Sequence, residues 1–282
     1  MAGLADSRSG GTCQGCWPRG GAGGARQSGP IALSPRQTHL ATIGTTALDP
    51  SYAPEGRGAD APAADGPVTT WLHDQRLAAV QAVVRDSGAR RVLDLGCGDG
   101  DLLIRLLAEP QITHIVGIDL SQAALDRLRA RLDRGPRPPG PQVDLWCRSM
   151  TVPEPRLCGF DCAVLVETIE HLAPDALSAL EAAVFGTLRP CQVVVTTPNA
   201  EFNPLLGVPK QRMRHPGHRF EWGREKFGHW ARGVGARHGY GCTCHDIGGR
   251  HPTCGGASQM AVFTLIAAPS PMPPAAPAPR AP

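Results

Sequence analysis

The segment Asp94-Leu95-Gly96-Cys97-Gly98-Asp99-Gly100 constrains this chain more than any other. It closes the short apolar run Arg91-Val92-Leu93-Asp94-Leu95 and precedes Leu102, Leu103, Leu106 and Leu107, which share one helix face. A buried strand that turns through glycines into a helix is the opening unit of an open α/β sheet, because glycine lets the backbone turn sharply and come close to a ligand. The spacing is G-x-G-x-G and residue 101 is Asp, so the G-x-G-x-x-G dinucleotide fingerprint fails. Asp94 stands two residues before the first glycine, where it can meet an ammonium group. Asp119 ends the next apolar run, 23 positions after Gly96, where an acid can bind both hydroxyls of a ribose.

The same alternation continues on both sides of the loop. Leu77, Val80 and Val84 predict a helix over 70–87, ended by Ser87-Gly88. Strands are predicted over 112–118, 143–147, 160–166, 193–196 and 259–266. Ser121 can cap a helix carrying Leu125, Leu128 and Leu132. A further helix is expected over 174–188, with proline near its start, and a weaker one over 225–238, which contains Gly228, Gly233 and Gly235. The stretch 136–141 reads as a rigid loop. The pattern predicts an α/β fold with a Rossmann-like, mostly parallel central sheet and helices on both faces. Residues 1–65 are Gly/Ala/Pro-rich and read as disordered, 66–268 as the folded domain, and 269–282 as a disordered Pro/Ala-rich tail.

Composition excludes several classes. With Lys+Arg 28 against Asp+Glu 25, the net charge of +3 is too balanced to argue for nucleic acid by itself. No apolar run approaches the ~18 residues of a membrane span, so no membrane is expected. The start lacks a secretory pattern; Arg8, Arg19, Arg26 and Arg36 leave a mitochondrial address conceivable, although glycine runs break any amphipathic helix there. The ten cysteines are scattered, which suits free thiols in a reducing compartment better than a disulfide scaffold. Cys242, Cys244, His245 and Cys254 can be read as a zinc site but lack a C-x-x-C pair. Cys13 and Cys16 have that spacing without a second pair nearby.

A second constellation follows the fourth expected strand: Val166-Glu167-Thr168-Ile169-Glu170-His171. Ligands of open sheets lie beyond the carboxyl ends of the strands, so Glu167 is expected beside a bound cofactor. One helical turn would bring Glu170 and His171 to the same side. Two carboxylates and an imidazole gathered there call for a cation, since burying them unpaired is costly. One catalytic acid, a helix-start glutamate and a solvated histidine is an equally good reading. A fourth ligand is sought in Arg214-His215-Pro216-Gly217-His218-Arg219-Phe220-Glu221-Trp222. This segment can contact phosphate and stack on a base, or serve as a surface loop with an aromatic anchor. The polar loop Thr197-Pro198-Asn199-Ala200-Glu201-Phe202-Asn203-Pro204 should line the substrate side.

Asp94, Gly96, Gly98 and Asp119 resemble the cofactor site of the Rossmann-like, S-adenosylmethionine-dependent methyltransferases. That resemblance implies a glycine loop facing the methionine part, an acid on the ribose, and Ser149 flanking the adenine. On residue type alone, a plain strand-end turn serine is as good a reading of Ser149. Taken with Glu167 to His171, Thr197 to Pro204 and His218-Arg219-Phe220-Glu221-Trp222, the chain resembles the Hen-type small-RNA 2′-O-methyltransferases over about residues 68–266.

The resemblance implies methylation of the 2′-hydroxyl of the 3′-terminal nucleotide of small single-stranded RNAs, which are piRNAs in the animal type, so that the 3′ end is protected. Carried over by motif, Glu167, Glu170, His171 and His218 would bind a divalent cation. The family is described with Mg²⁺, and mixed oxygen and imidazole donors suit Mn²⁺ or Co²⁺ as well. Asn199, Phe202, Asn203 and Arg219 would contact the RNA. The implied partner besides RNA is a PIWI/Argonaute-type protein presenting the 3′ end to a monomeric enzyme, in the cytoplasm or in germ granules. The chain departs from the family pattern in its low-complexity ends, in the Pro/Gly-rich stretch 133–142 and in the extra basic residues before His218. Two other readings compete: a small-molecule or protein methyltransferase on the same fold, and a non-enzymatic metal- or RNA-binding module.

Overall fold

The central strands carry apolar residues on both of their faces because both faces are covered. In β1 (Arg91–Leu95), Val92 joins the core on one side of the sheet, and Leu93 and Leu95 the core on the other. β4 (Cys162–Val166) divides in the same way between Cys162 and Val164 on one side and Ala163 and Leu165 on the other. In β5 (Gln192–Pro198), Val194 faces one core, and Val193 and Val195 the other. The structure, a computed structural model, describes residues 67–134 and 140–266. The expectations for 1–65, the tail 269–282, the arginine-rich start, Cys13 with Cys16, and most of the 136–141 loop lie outside the described residues.

The sheet has seven strands in the order β3-β2-β1-β4-β5-β7-β6. β1, β2 (His114–Asp119), β3 (Gln142–Cys147), β4 and β5 are parallel, while β7 (Ser258–Leu265) runs antiparallel to β5 and to β6 (Tyr240–Ile247). The expected α/β fold, a mostly parallel sheet with helices on both faces, is what the chain forms. Helices α1 (Pro67–Asp86), α2 (Asp101–Leu106) and α3 (Gln122–Leu132) supply one core through Leu77, Val80, Val84, Leu103, Leu125 and Leu128. Ser121 caps α3, accepting from Ala124 N at 3.2 Å. On the other face lie α4 (Leu177–Glu181) and α5 (Arg224–His238), with Phe185, Phe227 and Phe263 fully buried between them and the sheet. No helix among the described residues is long and apolar enough to cross a membrane.

Two elements differ from expectation. The predicted helix over 174–188 is three pieces: a 3₁₀ turn at Pro174–Ala176, α4, and a π-helical stretch at Ala182–Leu188. The wide turn is set by Thr187 Oγ1, which donates to the carbonyl of Ala182 at 3.2 Å, and by Arg189 N, which reaches back to Val184 O at 2.9 Å. A hydroxyl competing for a helix carbonyl loosens the helix repeat. The second difference is β6, which the sequence reading did not assign as a strand. It is an edge strand whose middle is largely exposed, so it lacks the apolar run that marks its central neighbours. Its pairing corrects the zinc reading. Alternation along a strand sends Cys242 and Cys244 to one face and His245 to the other. These residues and Cys254 form no metal-ligand cluster among the described residues.

Chain order along the sheet reverses between β1 and β4, since β2 and β3 lie on one side of β1, and β4 and β5 on the other. Such a switch point opens a crevice at the carboxyl ends of the strands. Asp94, Asp119, Glu167 and Thr197 all stand at those ends.

Candidate active site

The glycine loop is built for close approach. Gly96 has φ 82°, and a Cβ there would meet Thr168 Cγ2 at 2.5 Å, so both the backbone conformation and the packing require glycine. Gly98 has φ 52° and nothing within 4 Å of its missing side chain, which leaves the loop's outer side open. Asp119 ties the loop to β2. Its Oδ2 accepts from Gly98 N at 2.8 Å and its Oδ1 accepts from Ser121 N at 2.7 Å. Beside it, Leu120 is 69% exposed and offers an apolar face for a flat ring. Ser149 forms a short turn with Thr151, Oγ to Oγ1 2.7 Å, at the end of β3.

Asp94 is 2% exposed, and its Oδ2 has no hydrogen-bond partner among the described residues. Burial, and then the negative charge of Asp119, pushes its carboxyl up to about 7. A buried acceptor without a donor is costly unless a ligand supplies one. An ammonium group is the donor whose charge would also reverse the shift. Because the folded-state value lies above the unfolded 3.8, the stability this group contributes is full below about pH 4 and lost as pH rises towards 7. In the ligand-free protein, Asp94→Asn should therefore flatten the fall in stability over that window by an amount on the order of a few kcal/mol. Urea unfolding midpoints of both proteins at pH 4 to 7 measure it; parallel curves would reject it.

The second constellation begins at Glu167, a non-glycine residue with φ 51°. Strain of this kind persists where surrounding contacts over-determine it, and it clusters at functional sites. Here the contacts are Thr196, which donates to Glu167 Oε1 at 3.0 Å, and Arg76 from α1, whose Nε lies 3.3 Å from Oε2. Glu170 is fully buried. Its Oε2 accepts from Thr197 Oγ1 at 3.0 Å, while Oε1 has no partner among the described residues. Burial, and then the Glu167 charge, holds the Glu170 carboxyl well above the usual carboxylate range.

Three imidazoles from two separate turns stand together here. His171, on the 3₁₀ turn Ile169–His171, packs edge-on against His218 and His215, with ring centroids 4.8 and 5.4 Å away. One ligand atom from each of these three residues lies within 4.8 Å of the others; Glu167 and Glu170 are not in that group. His171 Nδ1 contacts the Gly217 carbonyl at 3.2 Å, and His218 Nδ1 meets Glu221 Oε1 at 2.5 Å. Each contact pins one ring nitrogen and leaves Nε2 available. Burial, and then His218, lowers the pKa of His171, which favours the neutral, ligand-competent ring. Burial raises the Glu221 carboxyl, but the bonds from His218, Asn203 and the Arg214 backbone hold it below its ordinary value.

Several residues expected to face the RNA are in the interior. Asn199 is fully buried: its Nδ2 donates to the carbonyls of Cys254 and Gly256 at 2.7 and 2.8 Å, and its Oδ1 caps the 3₁₀ turn Ala200–Leu206. Phe202 packs with Leu72 and Ala257. Phe220 and Trp222 stack on each other at 4.3 Å and are buried, so the aromatics of this segment anchor it rather than offer a base a platform. Arg214 is spent on Asn203 and on the carbonyls of Ala257 and Asn199. Asn203 bridges Arg214 and Glu221, while the Arg219 side chain is exposed. Asn199→Ala would leave two buried carbonyls without their donor. It should lower stability by about 3 kcal/mol in urea unfolding, whereas a residue that only touched substrate would leave stability unchanged.

The sequence expectations name neither Arg76 nor Glu221 as a site residue, and include His215 only within the segment where a fourth ligand is sought. Glu221 lies in the same segment, and only its spacing from His218 could have marked it. Arg76 carries no local signal, because its partner Glu167 is brought to it by the fold.

The family described as "Methyltransferase domain" matches residues 93–190. Mouse small RNA 2′-O-methyltransferase is 37% identical over 204 residues, which cover 68% of this chain and 51% of the mouse protein. The chain thus spans about half the length of the curated relatives it matches. The solved methyltransferase domain of bacterial CtHen1 is 38% identical with a TM-score of 0.62, and the match covers 69% of this chain and 100% of that one. The structure of small RNA methyltransferase HEN1 has the same TM-score at 33% identity, covering 69% of this chain and 26% of that one. With this identity, and with the whole of the bacterial domain covered, this chain is a member of the small RNA 2′-O-methyltransferase (Hen1) family and carries its methyltransferase domain.

Proposed function

We propose that this chain transfers the methyl group of S-adenosylmethionine to the 2′-hydroxyl of the 3′-terminal nucleotide of a small single-stranded RNA, with the help of a divalent cation. The observation that carries the reading is the Glu170 carboxylate. It is fully buried, has one oxygen without a partner among the described residues, and sits one residue before a cluster of imidazoles at the mouth of the crevice. Such a carboxylate is a liability in a fold unless a cation joins it. Glu167, Glu170, His171 and His218 would hold that cation. Their mixed oxygen and nitrogen donors fit Mg²⁺, Mn²⁺ or Co²⁺.

When bound, the cation lowers the pKa of a ribose hydroxyl, and S-adenosylmethionine supplies a sulfonium methyl group as electrophile. The remaining work falls to the chain. Asp94 receives the ammonium group, the loop from Gly96 to Gly100 bounds the methionine part, and Asp119 receives the ribose hydroxyls of the cofactor. Ser149 and Leu120 border the adenine. Thr197 and Arg76 orient Glu170 and Glu167, and Glu221 orients His218. Arg219, exposed beside the histidines, suits a terminal phosphate. Asn199, Phe202 and Asn203 shape the loop that faces the RNA, acting mainly through its backbone. Holding hydroxyl and methyl in line supplies much of the rate in transfers of this kind.

The RNA class, piRNA, and its presentation by a PIWI/Argonaute-type protein to a monomeric enzyme in the cytoplasm or germ granules are part of the same proposal. Their support is the resemblance to the animal members. A transfer assay with labelled S-adenosylmethionine tests the chemistry. It compares RNAs ending in a 3′-diol, a 2′-deoxyribose and a 3′-phosphate, with and without chelator. The expected result is chelator-sensitive transfer to the 3′-diol RNA alone. Turnover of the 2′-deoxy RNA would overturn the acceptor assignment, and undiminished transfer in chelator would overturn the cation.

A further inference from the structure

Three imidazoles meet where the family resemblance supplies two. His215 lies on the turn His215–His218, closed by a bond from His218 N to His215 O at 3.1 Å, and the two ends of such a turn stand side by side. The ring centroids of His215 and His218 are 5.5 Å apart, and both rings face His171. The Gly217 peptide serves two of the rings at once: its carbonyl faces His171 Nδ1 at 3.2 Å, and its N–H donates to His215 Nδ1 at 3.0 Å. As the acceptor of that bond, His215 Nδ1 directs its lone pair at the Gly217 N–H, and a cation would need only to replace one exposed hydrogen bond. A Cβ on Gly217 would lie 3.0 Å from His215 Nδ1 and 3.2 Å from His171 Nδ1, which shows how closely the two rings close over this residue.

We propose that His215 is a third imidazole ligand of the divalent cation, beside His171 and His218. The inference rests on the proposal above that the site takes a divalent cation. Ligand atoms mutually within 4.8 Å need only small side-chain rotations to reach a common ion, because nitrogens about 2.1 Å from one ion stand roughly 3–4 Å apart. Nitrogen donors are what separates the candidate ions. Mg²⁺ prefers oxygen and keeps its waters, while Co²⁺ gains from each imidazole. His215 is also exposed, so it can take up an ion without repacking the core.

Binding, not turnover, tests this. The tag-free chain of 282 residues is titrated with Co²⁺, followed by its visible absorption, and with Mg²⁺ by competition. Wild type is compared with His215→Asn and with His218→Ala as a reference for a lost ligand; S-adenosylmethionine affinity and thermal midpoint report that the variants are folded. The expected result for His215→Asn is Co²⁺ affinity lower by about tenfold or more and a changed absorption envelope, with Mg²⁺ affinity within about threefold of wild type. A His215→Asn protein with unaltered Co²⁺ affinity and spectrum, beside a His218→Ala protein that has lost both, removes His215 as a ligand and leaves the divalent-cation reading standing. A wild-type protein that binds neither ion overturns the divalent-cation reading itself, and this inference with it.

Discussion

Glu170→Gln loses methyl transfer by about 100-fold or more, while S-adenosylmethionine affinity stays within about threefold and the thermal midpoint of the ligand-free protein is unchanged or higher. The combination is unusual for a residue with no exposed surface. A typical polar substitution in a core destabilises, because it strands a partner. Here the stranded atom already exists: Glu170 Oε1 is buried without a donor among the described residues. Glutamine keeps the shape, and its carbonyl oxygen can still accept from Thr197 Oγ1. It also removes a charge that burial and Glu167 both oppose. The native carboxylate is thus a local cost carried for the sake of a ligand, as stability–activity trade-offs predict. Labelled-methyl transfer, calorimetric cofactor binding and thermal unfolding of the two proteins check all three parts. Retained activity would place the cation, or the chemistry, elsewhere.

Asp119→Ala acts on the other half of the crevice. It should weaken S-adenosylmethionine binding by about 100-fold, close to 2.7 kcal/mol, measured by calorimetry. Two contributions add. The carboxylate can accept two ribose hydroxyls through lone pairs that Gly98 N and Ser121 N leave unused. The same carboxylate also holds the glycine loop, so its removal loosens the backbone that bounds the methionine part. The thermal midpoint should fall as well, through loss of the bonds to Gly98 and Ser121. A change in affinity below about threefold would show that another group holds the ribose. The Glu170 and Asp119 variants together separate the two halves: one loses transfer and keeps the cofactor, the other loses the cofactor first.

Much of this molecule is determined by local sequence. The alternation of buried strands and amphipathic helices needs only neighbouring residues, because Val92, Leu93 and Leu95, or Val193, Val194 and Val195, carry their periodicity in place. Ser121 as a helix cap and the glycines at positive φ are likewise local, since each answers a backbone demand within a few residues. The order of Asp94, Gly96, Gly98 and Asp119 along two successive strand ends was therefore readable without coordinates.

The rest was decided by contacts between segments far apart in sequence. β6 exists because β7 pairs with it, not because its own residues are apolar. The π-helical stretch after Glu181 depends on which carbonyl Thr187 reaches. Asn199, Phe202, Phe220 and Trp222 look like substrate contacts in a polar loop, yet the fold turns them inward, where they satisfy carbonyls and fill the core. Arg76 meets Glu167 across 91 positions of sequence, and Gly217 meets His171 across 46. Residue types and spacing show which groups can do chemistry. Only the packing of helix on sheet and loop on loop determines which of them meet, because side-chain encounters over such distances leave no period in the sequence.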